Sequence, residues 1–475
     1  MRSICGGFAR AKFTCWSAVL GAAALAVPTS THAVPLVGRV QVTANGTQAT
    51  LTVRTPVKAT IVVSTGITSA TVLYAPTVIG RTARAGFDGL APNAMYRYKV
   101  TIRRGAQGTV LTGRFATGSR PPSPAGSTRG SAITLDGQPF FPVMTWQQCP
   151  QDVDANLAVG INTFLADCGD TAALSRAVAG RGYIAASAAT PPATTLPGQI
   201  GVYQHDEPES YGPASALPDA SNVLSWQTFT DQFALPNAVL PLATSGYQPY
   251  IAKARVLGFD LYPLAEHCAA HKSTLPRGLD AVYDDQRALV GIGGGRPTYQ
   301  WIETNAIELN CGADPVPAQA VTAESWLAVA GGATGIGYFT HLFLDGGANW
   351  QHFAVSAANQ NAIRRAAAAF GELAPALTTT PRYGFVARRS PLRVGYRILN
   401  GAVYVIAANS SAQPVRQSFV VPALADPKGG RAGFTYGEGQ RPVHATNDGT
   451  ITDRYAGYGV HIYIFPQRRS WSLRR

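Results

Sequence analysis

The hydrophobic pattern changes period twice along the chain. Between residues 35 and 118, apolar and polar residues alternate in short runs (VGRVQVT, ATLTV, ATIVVS, YRYKVTI) separated by Gly, Thr and Pro turns. A period of two marks half-buried strands, so this segment reads as an all-β domain. Pro, Ser and Gly then dominate residues 119–130, the composition of a linker. From about residue 131, short continuously apolar runs alternate with helix-period segments. The runs are FPVMTW (141–146), NTFLAD (162–167), YIAASA (183–188), GVYQHDE (201–207), AVLPLAT (238–244), FDLYPL (259–264), TYQWIET (298–304) and ATGIGYFTH (333–341). Stretches such as TAALSRAVAGRG, SNVLSWQTFTDQFAL, GLDAVYDDQRALVG and NQNAIRRAAAAFGELAPAL read as the helices between and after them. Only the third helix is poorly marked, because ATPPATTLPG is rich in proline. Eight apolar strands alternating with helices predict a parallel sheet closed into a (β/α)8 barrel over residues 131–379. Residues 380–467 return to alternation (RVGYRIL, AVYVIAAN, QSFVVP, GVHIYIFP) and read as a small antiparallel β-sandwich.

Composition adds a compartment. The 475 residues are 46% hydrophobic and only 14% charged, with 49 Gly and 33 Pro, which suits a loop-rich exported protein. Arg2, Arg10 and Lys12 precede an apolar stretch, Cys15 to Val27, and a small-residue site at Thr31-His32-Ala33. This is the layout of a signal peptide over residues 1–33, and the apolar run is shorter than the ~20 residues of a membrane span. The expected location is therefore secreted, extracellular or periplasmic, with no membrane span after cleavage. The net charge of +13 falls to +10 without that segment and points to an anionic or cell-envelope glycan as partner. No dense Lys/Arg tract is interleaved with aromatics, so nucleic acid is not expected; residues 468–475 form a short basic tail. Four cysteines remain outside the signal. Of their three possible pairings, Cys149–Cys168 and Cys268–Cys311 each join loops after neighbouring strands, at the same end of the barrel.

Candidate chemistry lies where strands end, because the C-terminal ends of barrel strands form the active-site mouth. Glu207 closes the fourth expected strand and Glu303 the seventh, two of only eight Glu in the chain. A shift in register would instead bring Glu308 to the end of the seventh strand. Trp146, Gln147, Asp167, Tyr203, His205, Tyr262, Trp301, His341 and Trp350 are further mouth candidates, with Asp260 ranked below Tyr262. His267 and His271 stand four apart after Glu266, but the Glu is not placed as in HExxH. That segment reads as a mouth loop held by Cys268, and no metal is expected. GIGGG (291–295) reads as a turn, and neither a phosphate-binding loop nor a GxSxG elbow is present.

Several of these segments resemble known families. FDGLAPNAMYRYKVTI with GRFAT resembles the last strands of a fibronectin type III domain, with Leu90, Pro92 and Tyr96 fitting its tyrosine corner, which implies a β-sandwich over residues 35–118. DGQPFFPVMTW followed by LAVGINTFLAD resembles the opening of clan A glycoside hydrolase barrels. YQHDEPE resembles their strand-4 acid/base segment, and ATGIGYFTH their strand 8, over roughly residues 133–378. The resemblance implies a retaining glycoside hydrolase without a cofactor, in which Glu207 is acid/base and Glu303 is nucleophile. It also implies a sugar site drawn from Asp206, Tyr262, Trp146, His205, Trp301 and His341. Asp206 departs from the pattern, which has Asn before the acid/base Glu. A carboxylate there can accept a sugar hydroxyl or itself act as an acid. The rival expectation is a non-catalytic carbohydrate-binding or envelope protein on a glycosidase-like barrel. A second is an adhesion protein whose β-modules carry the function.

Overall fold

A computed structural model describes residues 38–45, 48–66, 72–75, 77–87, 90, 94–105, 107–117, 124–187, 196–218, 220, 223–234, 246–265, 278–308, 315–344 and 349–467. The expected signal segment, the basic tail, Pro92, His267, His271 and the Cys268–Cys311 pair lie outside these residues.

The N-terminal strands form one hydrogen-bonded antiparallel sheet built around the long strand Gln48–Gly66. It is flanked by Arg39–Asn45, Val78–Phe87 and Met95–Arg104, with Gln107–Ala116 beyond. Alternation explains it: Leu51, Val53, Ile61, Val100 and Ile102 turn into a shared core while their neighbours face out. Within the segment read as linker, Gly126–Arg129 pairs with Ala132–Leu135, which in turn pairs with Gln138–Phe140.

The central region is a closed eight-stranded parallel barrel. Its strands are β1 Val143–Gln148, β2 Thr163–Asp167, β3 Tyr183–Ser187, β4 Gln199–Asp206, β5 Ser225–Thr230, β6 Val256–Asp260, β7 Thr298–Glu303 and β8 Gly335–Phe339. Closure comes from β1 against β8, where Val143 pairs with Ile336 and Met144 with Gly337. The helices are α1 Val153–Ala158, α2 Thr171–Val178, α3 Pro208–Tyr211, α4 Gln248–Ile251, α5 Asp280–Ile292, α6 Ala318–Gly331 and α7 Ala357–Leu377.

One element differs in kind from expectation. The fifth strand is Ser225–Thr230, inside the segment read as a helix, and AVLPLAT lies outside the described residues. Trp226, Phe229 and Phe233 mimic a helical stripe. In the barrel, however, Ser225, Trp226, Gln227, Thr228 and Phe229 are all buried, as in a strand covered on both faces.

Two antiparallel sheets follow. One runs Arg382–Tyr383, Leu392–Leu399, Ala402–Asn409, Val460–Phe465, Arg431–Thr435, Pro442–Ala445. The other contains Phe385–Val386, Val415–Val420 and Thr450–Tyr455. They share a core of Leu392, Val394, Val405, Phe419, Ile451 and Tyr463. The larger sheet packs on α6, which is buried along almost its whole length because it lies between sheet and barrel. Arg397 is fully buried at this junction and donates to Val329 O (2.9 Å) and Leu377 O (3.3 Å), in the last turns of α6 and α7. The carbonyl ends of two helices are a favourable place for a cation.

Candidate active site at the mouth of the barrel

The disulfide Cys149–Cys168 joins the ends of β1 and β2 at the mouth. Backbone strain collects at the same end. Gln147, Ala166, Glu207 and Ile307, each at or just past a strand end, hold positive φ of 39°, 58°, 46° and 62°. Non-glycine residues take that region at a cost and cluster where a side chain must be aimed.

Strand β4 supplies the acids. Its pairing with β5 slips between Tyr203 and Asp206, and this bulge resets the alternation of side chains. Asp206 therefore reaches the hydroxyl of inward-facing Tyr203 (2.8 Å), while His205 is exposed on the rim, its ring 5.9 Å from that of Tyr211. Burial is the main force lifting the Asp206 pKa to about 6, and the Glu207 charge adds to it. Glu207 holds left-handed backbone ahead of α3, its N–H donating to Thr228 O (2.9 Å). Two residues on, Glu209 is fully buried. Its Oε1 accepts the Thr230 N–H (2.7 Å) and hydroxyl (2.9 Å), and burial raises its pKa to about 7. Three carboxyls thus follow one another at the end of β4.

The interior beneath them is polar and connected. Thr228 Oγ1 lies 2.9 Å from the Tyr203 hydroxyl and 2.8 Å from the Tyr299 hydroxyl, and it accepts the Trp301 indole N–H at 3.1 Å. Tyr299 and Trp301 fit because the strands beside them carry glycine. A Cβ on Gly258 would meet the Tyr299 ring at 2.1 Å, and one on Gly337 would meet the Trp301 ring at 2.2 Å. Asp260 follows Gly258 on the same face of β6. Its charge, after burial and the Asp206 charge, helps hold the Tyr299 phenol well above its ordinary pKa. Asp260 therefore belongs with the acids of the interior, higher than its sequence rank below Tyr262.

The opposite wall is aromatic. Trp146 stacks on Trp350 (centroids 5.8 Å apart, planes 26° apart) and packs edge-on against His341 (5.7 Å), while Phe339 links them to Tyr262 at 5.2 Å. Trp350 comes from a hairpin, Leu342–Phe343 with Trp350–Gln351, laid over the rim. His341 is fully buried, and burial pulls its pKa down to about 4, so it is neutral at pH 7. Its Nε2 lies 2.7 Å from Trp146 O, where the neutral ring donates and fixes the tryptophan. Asp167 turns to its own loop, accepting from Gly169 N–H (2.8 Å) and the Thr171 hydroxyl (2.5 Å).

Glu303 ends β7 fully buried. Oε1 accepts the Leu264 N–H (2.8 Å) and Oε2 the Ala265 N–H (2.5 Å), both from the segment after β6. Glu324 of α6 lies against it, also fully buried. Burial first, and then the Glu303 charge, hold Glu324 well above the carboxylate range, so Glu324 keeps its proton beside a Glu303 capped by two amides. Sequence reasoning missed Glu209, Glu324 and the Thr228–Tyr299 pair. Glu209 was legible as the second acid of Glu207-Pro208-Glu209, whereas Thr228 was hidden in the misread helix.

Among the described residues no group of three or more His, Cys, Asp or Glu could hold a metal ion, and no helix is long and apolar enough to cross a membrane. No family model matches the chain, and no curated protein matches it. Among solved structures 286 chains do. A GH30 endoxylanase from Clostridium papyrosolvens matches at 10% identity, over 71% of this chain and 98% of its own, with a TM-score of 0.38. The β-glucuronidase of Ruminococcus gnavus matches at 10% identity over 69% and 67%, with a TM-score of 0.36. That of Parabacteroides merdae matches at 8% identity over 89% and 74%, with a TM-score of 0.33. Likenesses this distant leave the functional assignment to the chemistry of the mouth itself.

Proposed function

We propose that the chain is an exported glycoside hydrolase that cleaves O-glycosidic bonds at the barrel mouth. The observation that carries this reading is the end of β4. Asp206, raised to about 6, Glu207 in left-handed backbone, and Glu209, raised to about 7, stand in one short segment. The Trp146–Trp350 wall stands at the same mouth. Glycoside hydrolysis needs a carboxyl acid, a second carboxyl that stays ionised, and a surface for the apolar face of a sugar. The mutual repulsion of Glu207 with Asp206 and Glu209 helps this set of carboxyls hold protons to higher pH. In this proposal Glu207 protonates the leaving oxygen and then deprotonates water, while Asp206 accepts a sugar hydroxyl. Glu303 is the nucleophile of a double displacement. Its two amide donors favour the ionised form that attack requires. Glu303 is fully covered, by Leu264 and Ala265 and by Glu324 of α6, so attack requires its carboxylate to be freed from all three. The disulfide supports an oxidising compartment.

The burial of Glu303 equally favours a second reading, in which the barrel binds carbohydrate without cleaving it. A panel of aryl glycosides separates the two. Hydrolysis is expected, with the first product retaining its anomeric configuration by NMR. Glu207→Gln and Glu303→Gln should each lower kcat by about 10²–10⁴-fold. Azide added to Glu303→Ala should yield a glycosyl azide. Wild-type turnover by Glu303→Gln would remove the nucleophile assignment. Sugar binding with no turnover of any glycoside would favour the second reading.

A further inference from the structure

The charge of this chain is segregated. Residues 35–118 carry ten Lys/Arg and a single acid, Asp88, a net charge of +9. Residues 131–379 hold 21 of the chain's 26 acids and ten of its 39 Lys/Arg, a net charge of −11. The positive charge therefore sits on both sides of the barrel sequence, +9 on residues 35–118 and +10 on residues 380–475, and the barrel carries the opposite sign.

Alternation delivers that charge to the outside of the sheet. Leu51, Val53, Ala83 and Ala85 are buried, so the residues between them face solvent. Register then sets Arg39 beside Arg54, Gln41 beside Thr52 and Thr43 beside Thr50 on one pair of strands. On the next pair, Arg54 stands beside Thr82 and Thr52 beside Arg84. Gln41, Thr52, Arg54, Thr82 and Arg84 line an open hollow of about 580 Å³. A second hollow, of about 540 Å³, is lined by Lys58, Arg81, Arg103 and Arg104.

We propose that this face binds an acidic polysaccharide and so anchors the barrel to a matrix. Guanidinium groups pair bidentately with carboxylates, and the Thr hydroxyls and the Gln amide between them match the hydroxyls of sugar rings. The donors repeat roughly every 4.8 Å across strands and every 6.8 Å along them, a lattice suited to a polymer rather than a single ion. Nucleic acid fits less well. Among the described residues, the exposed large apolar side chains of this sheet are Ile79, Met95 and Val110, which offer no ring for a base to stack on. The barrel's negative charge repels the same polymer from the mouth, so the sheet is a separate anchor and does not depend on the hydrolase reading.

Affinity electrophoresis of the intact protein tests this. Gels hold polygalacturonate, a neutral glucan, polyphosphate or duplex DNA. Polygalacturonate should retard the protein and the neutral glucan should not. Arg39→Ala/Arg54→Ala/Arg84→Ala should weaken retardation about tenfold or more, with an unchanged melting temperature. The charge-matched control Arg388→Ala/Arg389→Ala/Arg416→Ala, on the exposed C-terminal region, should stay within about twofold of wild type. Equal losses in both variants would overturn the assignment to this face. Equal retardation by polyphosphate or DNA would reduce it to a general cation surface. No retardation by polygalacturonate would end it.

Discussion

At the scale of the residue, Asp206 shows how position sets chemistry. The β4 bulge turns it inward beside Tyr203, and burial lifts its pKa from 3.8 to about 6. An acid whose folded pKa is raised binds its proton more tightly folded than unfolded. That stabilisation is fully present below about pH 4 and is lost as pH rises through 6. Above pH 6 the native state holds a buried charge at a cost on the order of 3 kcal/mol. Asn keeps an oxygen to accept the Tyr203 hydroxyl and carries no charge. Asp206→Asn should therefore unfold at a higher temperature than wild type at pH 8, and the difference should vanish near pH 4. Thermal melts at the two pH values check this. A variant less stable than wild type at pH 8 would mean that the carboxylate has a cationic or donor partner that outweighs its burial.

At the scale of the element, legibility followed the environment of each strand. β8 was readable as GIGYF because both faces are covered and it carries no charged or amide side chain, and β7 as TYQWIE because its Tyr, Trp and Ile are not spaced as a helical stripe. β5 was not, because Gln227 and Thr228 interrupt it and its aromatics fall at helical intervals. The β-branched and aromatic content of SWQTFT was the available signal, and it was outweighed by periodicity. The acids at the end of β4 were legible from position. The bulge that chooses Asp206 over His205 was not, because register depends on the neighbouring strand. Arg397 was equally hidden, an arginine in an alternating strand that reads as a solvent-facing residue. It instead ties the last turns of α6 and α7 to the C-terminal sheet. Arg397→Ala removes those bonds, leaves Val329 O only the Gly332 N–H and opens a cavity at the junction, a loss of about 3 kcal/mol or more. The expected melt is earlier and splits into two transitions, as the C-terminal sheets uncouple from the barrel. A single transition at the wild-type temperature would show that the apolar contact with α6 alone holds the junction.

At the scale of the whole molecule, the sign of the charge separates two tasks that the overall +13 conceals. Read from the total alone, an anionic glycan is the expected partner of the protein as a whole. Read by region, the mouth that would do the chemistry is acidic: Asp206, Glu207, Glu209 and Asp260 lie on β4, on β6 or directly after β4. A uronate entering there meets like charge in a partly desolvated site, where interactions are stronger than in water. Aryl glycosides of neutral sugars should therefore be hydrolysed with kcat/KM at least about tenfold above that of the matching uronides, a difference of ~1.4 kcal/mol. Added salt screens the approach of a charged ligand within a Debye length of ~8 Å at physiological ionic strength. Raising NaCl should thus increase turnover of a uronide, leave that of the neutral sugar unchanged, and weaken binding of an acidic polymer to the N-terminal sheet. Opposite salt responses at the two sites of one chain would follow directly from the −11 and +9 of its parts. A uronide turned over faster than the neutral sugar at low salt would require a cation at the mouth that outweighs these four carboxyls.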